Sequence, residues 1–188
     1  MAENIISKKG KILEFLVALF LIFLGAIFRL LPHPPNFAPI AAIALFGGVY
    51  FSKKIALILP ILAMLISDYF LGFYQFSLMA FVYLGFLITV FLGIYLKKNK
   101  KWYAVLGGSL FASILFFLLT NFGVWAFTGW YQKSFQGLIE CYTMAIPFFR
   151  NTMSGDLFYV ILFFGAFELV RVLISRKFHI PEKIIIRK

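Results

Sequence analysis

The sequence holds a single cysteine, Cys141, so no disulfide can form within the chain. It holds only two histidines, and neither H-E-x-x-H nor C-x-x-C occurs, so a standard four-ligand zinc site has no framework. G-x-x-x-x-G-K-[ST] and G-x-S-x-G are also missing, which excludes ATP hydrolysis through a P-loop and the nucleophile elbow of the hydrolases. No cofactor is expected. Charge is scarce as well: 13% of residues are charged, only seven of them acidic, while 63% are hydrophobic. With mean hydropathy +0.96, a water-soluble domain of this size would expose far too much apolar surface. Lipid removes that problem, and one integral-membrane domain over 1–188 is the expected unit.

The net charge of +11 invites a nucleic-acid reading, but the placement of the charges argues against it. Lys8, Lys9 and Lys11 precede the first apolar run; Lys53 and Lys54 separate two others. Lys97, Lys98, Lys100 and Lys101 separate two more, and Arg176, Lys177, Lys183, Arg187 and Lys188 form the tail. Short basic loops of this kind follow the positive-inside bias, so the lipid bilayer is the expected partner and nucleic acid is not.

Six apolar segments stand out, at about 12–31, 38–51, 55–72, 77–96, 102–122 and 153–175, with a polar-flanked segment 123–152 between the last two. The pattern predicts an all-α bundle of six transmembrane helices. The first run is read as a retained span: no small-x-small cleavage site follows it, and Arg29 ends it. A cytoplasmic N-terminus puts 14 of the 18 basic residues inside and three (Arg29, Lys133, Arg150) outside, with Arg171 in a span. Both termini are therefore expected in the cytoplasm. Leu138–Phe149 is too short to cross and reads as a separate helix over the outer mouth, entered through Gly129 and Gly137 and kinked or ended by Pro147. Tyr50, Tyr95, Trp102 and Tyr103 mark the inner interface, and Tyr69, Tyr74, Trp125, Trp130 and Tyr131 the outer one.

The second run is undersized, covering about 21 Å at 1.5 Å per residue. It follows Arg29-Leu30-Leu31-Pro32-His33-Pro34-Pro35-Asn36-Phe37-Ala38-Pro39, a polar, proline-rich break. Non-helical backbone at membrane depth must be buried in protein or line a watery cavity, so this break should line one. Asn36 is expected to cap the second helix, whose positive dipole end would then face the cavity and suit a carboxylate or phosphate. Asp68, Asn121, Glu140, Arg150, Asn151 and Asp156 fall toward the same side.

Each polar residue carries a plain alternative. His33 is either a cavity group or a solvated histidine in a stiff turn; Asp68 either contacts a ligand or reaches interfacial water. Asn121, with Trp125 four residues on, suits a flat heterocycle or simply ends a helix. Asn151-Thr152-Met153-Ser154-Gly155-Asp156 should open the last helix, with Thr152 or Ser154 capping it and Asp156 complementing the dipole or pairing with Arg150. Cys141 reads as a small apolar filler. Ala38-x3-Ala42, Ala44-x3-Gly48, Gly47-Gly48 and Gly107-Gly108 let helices approach closely, within the chain or against a partner subunit.

Arg29 through Phe51, Ser67-Asp68, Asn121-Phe122-Gly123-Val124-Trp125, Gly137-Leu138, Cys141-Tyr142, Ala145-Ile146-Pro147-Phe148-Phe149, Asn151 and Gly155-Asp156-Leu157 together resemble an uncharacterised bacterial integral-membrane family described as transport proteins. In length, helix number and polar outer loops the chain is also distantly similar to the S components of energy-coupling-factor vitamin transporters. The resemblance implies a binding subunit in the bacterial cytoplasmic membrane that captures a vitamin- or cofactor-like solute from outside. Energy would come from a membrane coupling subunit and ATPases on other chains. The Ala-x3-Ala pair expected on the first helix of such a subunit is absent, Leu24-Gly25-Ala26 being the nearest feature.

These readings converge on an outward-facing pocket lined by His33, Asn36, Asp68, Asn121, Trp125, Tyr131, Asn151 and Asp156. Two alternatives belong to other classes. One is an intramembrane enzyme using His33 with Asp68 or Asp156 as acid and base. The other is an accessory subunit whose glycine faces dock into a larger assembly.

Overall fold

The computed structural model describes residues 2–178, and over that range the chain is all helical: α1 (Ala2–Leu30), α2 (Ile40–Tyr50), α3 (Lys53–Leu71), α4 (Phe76–Leu96), α5 (Trp102–Phe127) and α6 (Phe135–Phe178). Four stretches, Lys53–Leu71, Phe76–Leu96, Trp102–Phe127 and Phe135–Val170, are long and apolar enough to cross a membrane. The apolar parts of α1 (Phe15–Leu30) and α2 are shorter. Lys183, Arg187 and Lys188 of the basic tail, and the side chains of Lys8, Lys9, Lys11, Arg171, Arg176 and Lys177, lie outside the described residues.

Short junctions fold the helices back on one another. One end of the bundle carries the α2–α3 and α4–α5 junctions, with Lys53, Lys54 and Lys97 through Lys101; we call it the basic end. The other end carries the α1–α2, α3–α4 and α5–α6 junctions.

At the centre stands α2, touching all five other helices. Nine of its eleven residues are buried, so it is apolar on every face, as a helix sheathed by others must be. Its small residues explain the fit. A Cβ built on Gly48 would lie 2.4 Å from the Val90 carbonyl oxygen, and one on Gly93 of α4 would lie 2.4 Å from the Leu45 carbonyl oxygen. The α2 and α4 backbones are thus in direct contact, and Ala44 packs beside them against Val90. Of the two uses open to the Ala44-x3-Gly48 spacing, packing within the chain is the one observed.

At the basic end Phe46 packs against Tyr50, Phe51, Phe163, Phe164 and Phe167, with ring centroids 4.8–6.5 Å apart. Tyr50 Oη donates to Glu168 Oε1 at 2.8 Å, and Lys97 Nζ donates to the Phe51 carbonyl at 3.0 Å. That end is filled by aromatic rings.

Two expectations need correcting. First, α6 is one helix from Phe135 to Phe178, not an outer helix followed by a separate span. Thr152, read as a capping group, bonds back along the helix instead: its Oγ1 donates to the Phe148 carbonyl at 3.0 Å, as Thr143 Oγ1 does to that of Ile139 at 2.8 Å. Pro147 is accommodated inside, at the cost of the one N–H that would have bonded the Thr143 carbonyl. Asp156 is not in a first turn, and it makes no ion pair with Arg150; six residues apart on a helix, the two point to different faces.

Second, Asn36 does not cap α2. Pro39 is the N-cap and no side chain satisfies the first turn. Asn36 instead takes φ +63° in a tight turn, Pro34-Pro35-Asn36-Phe37, closed by Phe37 N–H donating to the Pro34 carbonyl at 3.0 Å. Proline at the second position and a left-handed residue at the third are the signature of a type II turn, and asparagine tolerates that conformation better than most residues. Asn36→Gly should therefore leave the melting temperature unchanged or slightly raised. Asn36→Ile should cost about 1–2 kcal/mol, the left-handed penalty of a side chain, read by thermal unfolding in detergent.

Candidate functional site

Eight residues of α5 separate Ser113 from Asn121, whereas fifteen of α6 separate Asp156 from Cys141; yet Ser113 meets Asp156, and Asn121 meets Cys141. Two parallel helices would keep equal spacing, so α6 takes an oblique path past α5 on either side of Pro147. The space left between them, closed by α1, α2, α3 and α4, is a cavity of about 490 Å³. Its rim carries exposed residues, His33, Asn36 and Leu71, at the end opposite the basic one. Its floor carries buried ones, Ile40, Met64, Phe86 and Asp156. Phe116, Phe117, Phe148 and Phe149 add aromatic wall, with the Phe117 and Phe149 ring centroids 4.6 Å apart.

Two polar groups dominate the lining. Arg29, in the last turn of α1, has a side chain 19% exposed and faces the cavity. Its Nη1 donates to Asp68 Oδ1 at 2.7 Å and to Ser67 Oγ at 2.5 Å. Tyr83 Oη donates to Asp68 Oδ2 at 2.7 Å. Asp68, 1% exposed, thus has both oxygens engaged, as a charge held within an apolar bundle requires. Among the described residues, Arg29 Nε and Nη2 have no partner, so the guanidinium keeps donors for the cavity. Tyr74, in the α3–α4 junction, also lines the cavity; burial, then the nearby Asp68 charge, pushes its phenol up to about 12, so it is a neutral hydrogen-bonding group at ordinary pH.

The second group is Asp156, 3% exposed, on the floor. Ser113 Oγ lies 2.6 Å from Asp156 Oδ2 and 3.0 Å from the Ser109 carbonyl oxygen. Phe37, just before α2, packs on Gly155, where an added Cβ would come within 3.1 Å of the ring. The start of α2 therefore lies at the level of Asp156. The N–H groups of Ile40, Ala41 and Ala42 have no acceptor among the described residues, as expected of a helix start without a side-chain cap.

Of the eight residues expected in the pocket, His33, Asn36, Asn121 and Asp156 line it. Asn121 Nδ2 donates to the Phe117 carbonyl at 2.8 Å, leaving its own oxygen for the cavity. His33 Nδ1 sits 2.7 Å from the Leu31 carbonyl oxygen. Asp68 lies behind Arg29 rather than in the lining. Trp125 is turned to the α5–α6 junction, where its Nε1 donates to the Gln132 carbonyl at 3.0 Å and Lys133 Nζ stands 5.9 Å over its ring. Tyr131 and Asn151 are half-buried outside the cavity, and Glu140 and Arg150 are exposed. Cys141 is a buried free thiol, 2% exposed, in keeping with a filler role.

Sequence reasoning did not assign Arg29, Tyr74, Tyr83, Ser113, Thr120 or Thr152 to the site. For Arg29 the signal existed: a cation and an acid near the same end of neighbouring apolar spans must find one another. For Ser113 there was none, since one serine among apolar residues names no partner.

Among the described residues no cluster of three or more histidine, cysteine or acidic side chains could hold a metal ion. No curated protein and no solved structure gives a significant match to the chain. Residues 10–179 match a family of unknown function, DUF6580, and the chain belongs to that family.

Proposed function

We propose that this protein is a membrane-embedded binding protein that captures a small solute, of vitamin or cofactor size, for uptake. The observation that carries this reading is the cavity: about 490 Å³, open at one end of an apolar bundle, with a buried floor and a few polar groups set among aromatic rings. Ligand sites typically occupy 300–1,000 Å³ and are mostly apolar with a handful of orienting polar groups. Irregular backbone and an uncapped short helix beside a cavity are also how transporter sites are built within a membrane.

All six helices lie in the membrane in this reading, and the lysine-bearing end faces the cytoplasm with both termini, so the cavity opens outward. The aromatic filling around Phe46 then closes the inner side. Nothing in the sequence hydrolyses ATP through a P-loop, so energy for release inward comes from other chains, a membrane coupling subunit with ATPases. An enzyme pairing His33 with Asp68 draws less support, because both Asp68 oxygens are engaged behind the cavity wall.

The test is capture. Purified protein is equilibrated with a small-molecule extract, washed, and its bound compounds are identified by mass spectrometry. Ala41→Phe, which places a ring in the cavity, is the control. One compound near one per wild-type chain, and absent from the variant, is the expected result. Equal retention by both proteins, or none by either, overturns the proposal.

A further inference from the structure

The proposed binding site has two poles, and their spacing describes the solute. Near the rim is Arg29, fixed through Nη1 by Asp68 and Ser67, with its other guanidinium nitrogens unpaired among the described residues. On the floor is Asp156, almost wholly buried and facing the same cavity. Its Oδ2 has Ser113, and its Oδ1 has no partner among the described residues. The Ser113 hydroxyl has one proton and two acceptors within reach, so it satisfies the carboxyl at most once. A buried carboxyl oxygen without a donor is costly, and one that faces a cavity is satisfied by what enters it.

The depth difference follows from the helix contacts. Tyr83 of α4 reaches Asp68 and so marks the Arg29 level. Two residues further, Gly85 faces Phe116 of α5, and Ser113, which holds Asp156, is three residues deeper still. At 1.5 Å per residue the two poles are about 5–10 Å apart along the bundle. Phe86 and Phe116, with ring centroids 4.9 Å apart, wall the space at the level between them.

We infer that the solute is dipolar: an unsaturated or aromatic body with an anionic group at Arg29 and, at its far end, a protonated nitrogen or N–H donor at Asp156. This rests on the solute-binding reading above and names the class of solute.

The probe is 4-(aminomethyl)benzoate, which carries its two charges across one ring. 4-Methylbenzoate and 4-methylbenzylamine each keep one charge. Titration calorimetry on the full chain in lipid nanodiscs should show the dipolar probe binding about tenfold or more tightly than either control, since a hydrogen bond to a charged group is worth that much. Asp156→Asn should abolish its advantage over 4-methylbenzoate. Should that variant fail to fold, the three-probe comparison on wild-type protein decides alone. Equal binding of all three, or a single-charge control binding as well as the dipolar probe, overturns the inference but leaves the cavity a solute site. Absence of dipolar-probe binding overturns it too, and the extract experiment then shows whether solute binding falls with it.

Discussion

Asp68→Asn should lower stability by about 3–5 kcal/mol, the cost of leaving one member of a buried ion pair without the other. Asp68 is 1% exposed and accepts from Arg29 on one oxygen and from Tyr83 on the other, so no water replaces what the substitution removes. Arg29, mostly buried near the cavity rim, then keeps its positive charge with no counter-charge, only neutral oxygens at Ser67 and the new amide. The double variant Arg29→Met/Asp68→Leu should be much milder, because apolar residues of similar size often replace a buried pair at little cost. Cys141 supplies the measurement: the only thiol is 2% exposed, so a thiol-reactive fluorogenic dye reports unfolding on heating. The same double variant should melt near wild type yet lose affinity for anionic probes, which separates the structural duty of the pair from its place in the cavity. A double variant as unstable as Asp68→Asn would show that the pair is not what that substitution disturbs.

Gly48→Ala should be as damaging, by about 3 kcal/mol or more, at the upper end of what overpacking costs. The added methyl meets backbone on α4, at 2.4 Å from the Val90 carbonyl oxygen and 2.8 Å from Gly93 Cα, and backbone has no rotamer to change. The helices must part, and α2 touches every other helix, so the disturbance reaches the cavity floor at Ile40 as well. Gly107→Ala is the control, since a Cβ there meets nothing within 4 Å; it should leave thermal unfolding unaltered or slightly raised, as alanine favours helix over glycine. Loss of stability at Gly107 equal to that at Gly48 would refute the close-contact account.

Composition and the spacing of apolar runs determined much of this protein in advance. A chain with 63% hydrophobic residues and lysines gathered before the first apolar run, between later ones and in the tail reads as helices suited to lipid, and four of the six helices, α2 to α5, begin and end near the apolar runs that announced them. The proline-rich break announced a short second helix and a cavity beside it, and His33 and Asn36 stand at that cavity's rim. These are local facts, decided by periodicity, by proline and by the cost of bare backbone in lipid.

Only the tertiary structure decided the rest. Asn151-Thr152-Met153-Ser154-Gly155-Asp156 reads as a helix start, yet it lies mid-helix because Asp156 finds Ser113 on α5 and Thr152 turns back to the Phe148 carbonyl. Asp68 reads as a group for a ligand, yet it is spent on Arg29 and Tyr83, from two helices distant in sequence. Trp125 follows Asn121 by about one turn, yet the Gln132 carbonyl draws its indole away from the cavity. In each case the side chain had several possible partners, and the neighbours it met in the folded chain chose among them. Partner choice in a membrane bundle is a matter of which polar groups meet at one depth, and a linear sequence does not encode that meeting.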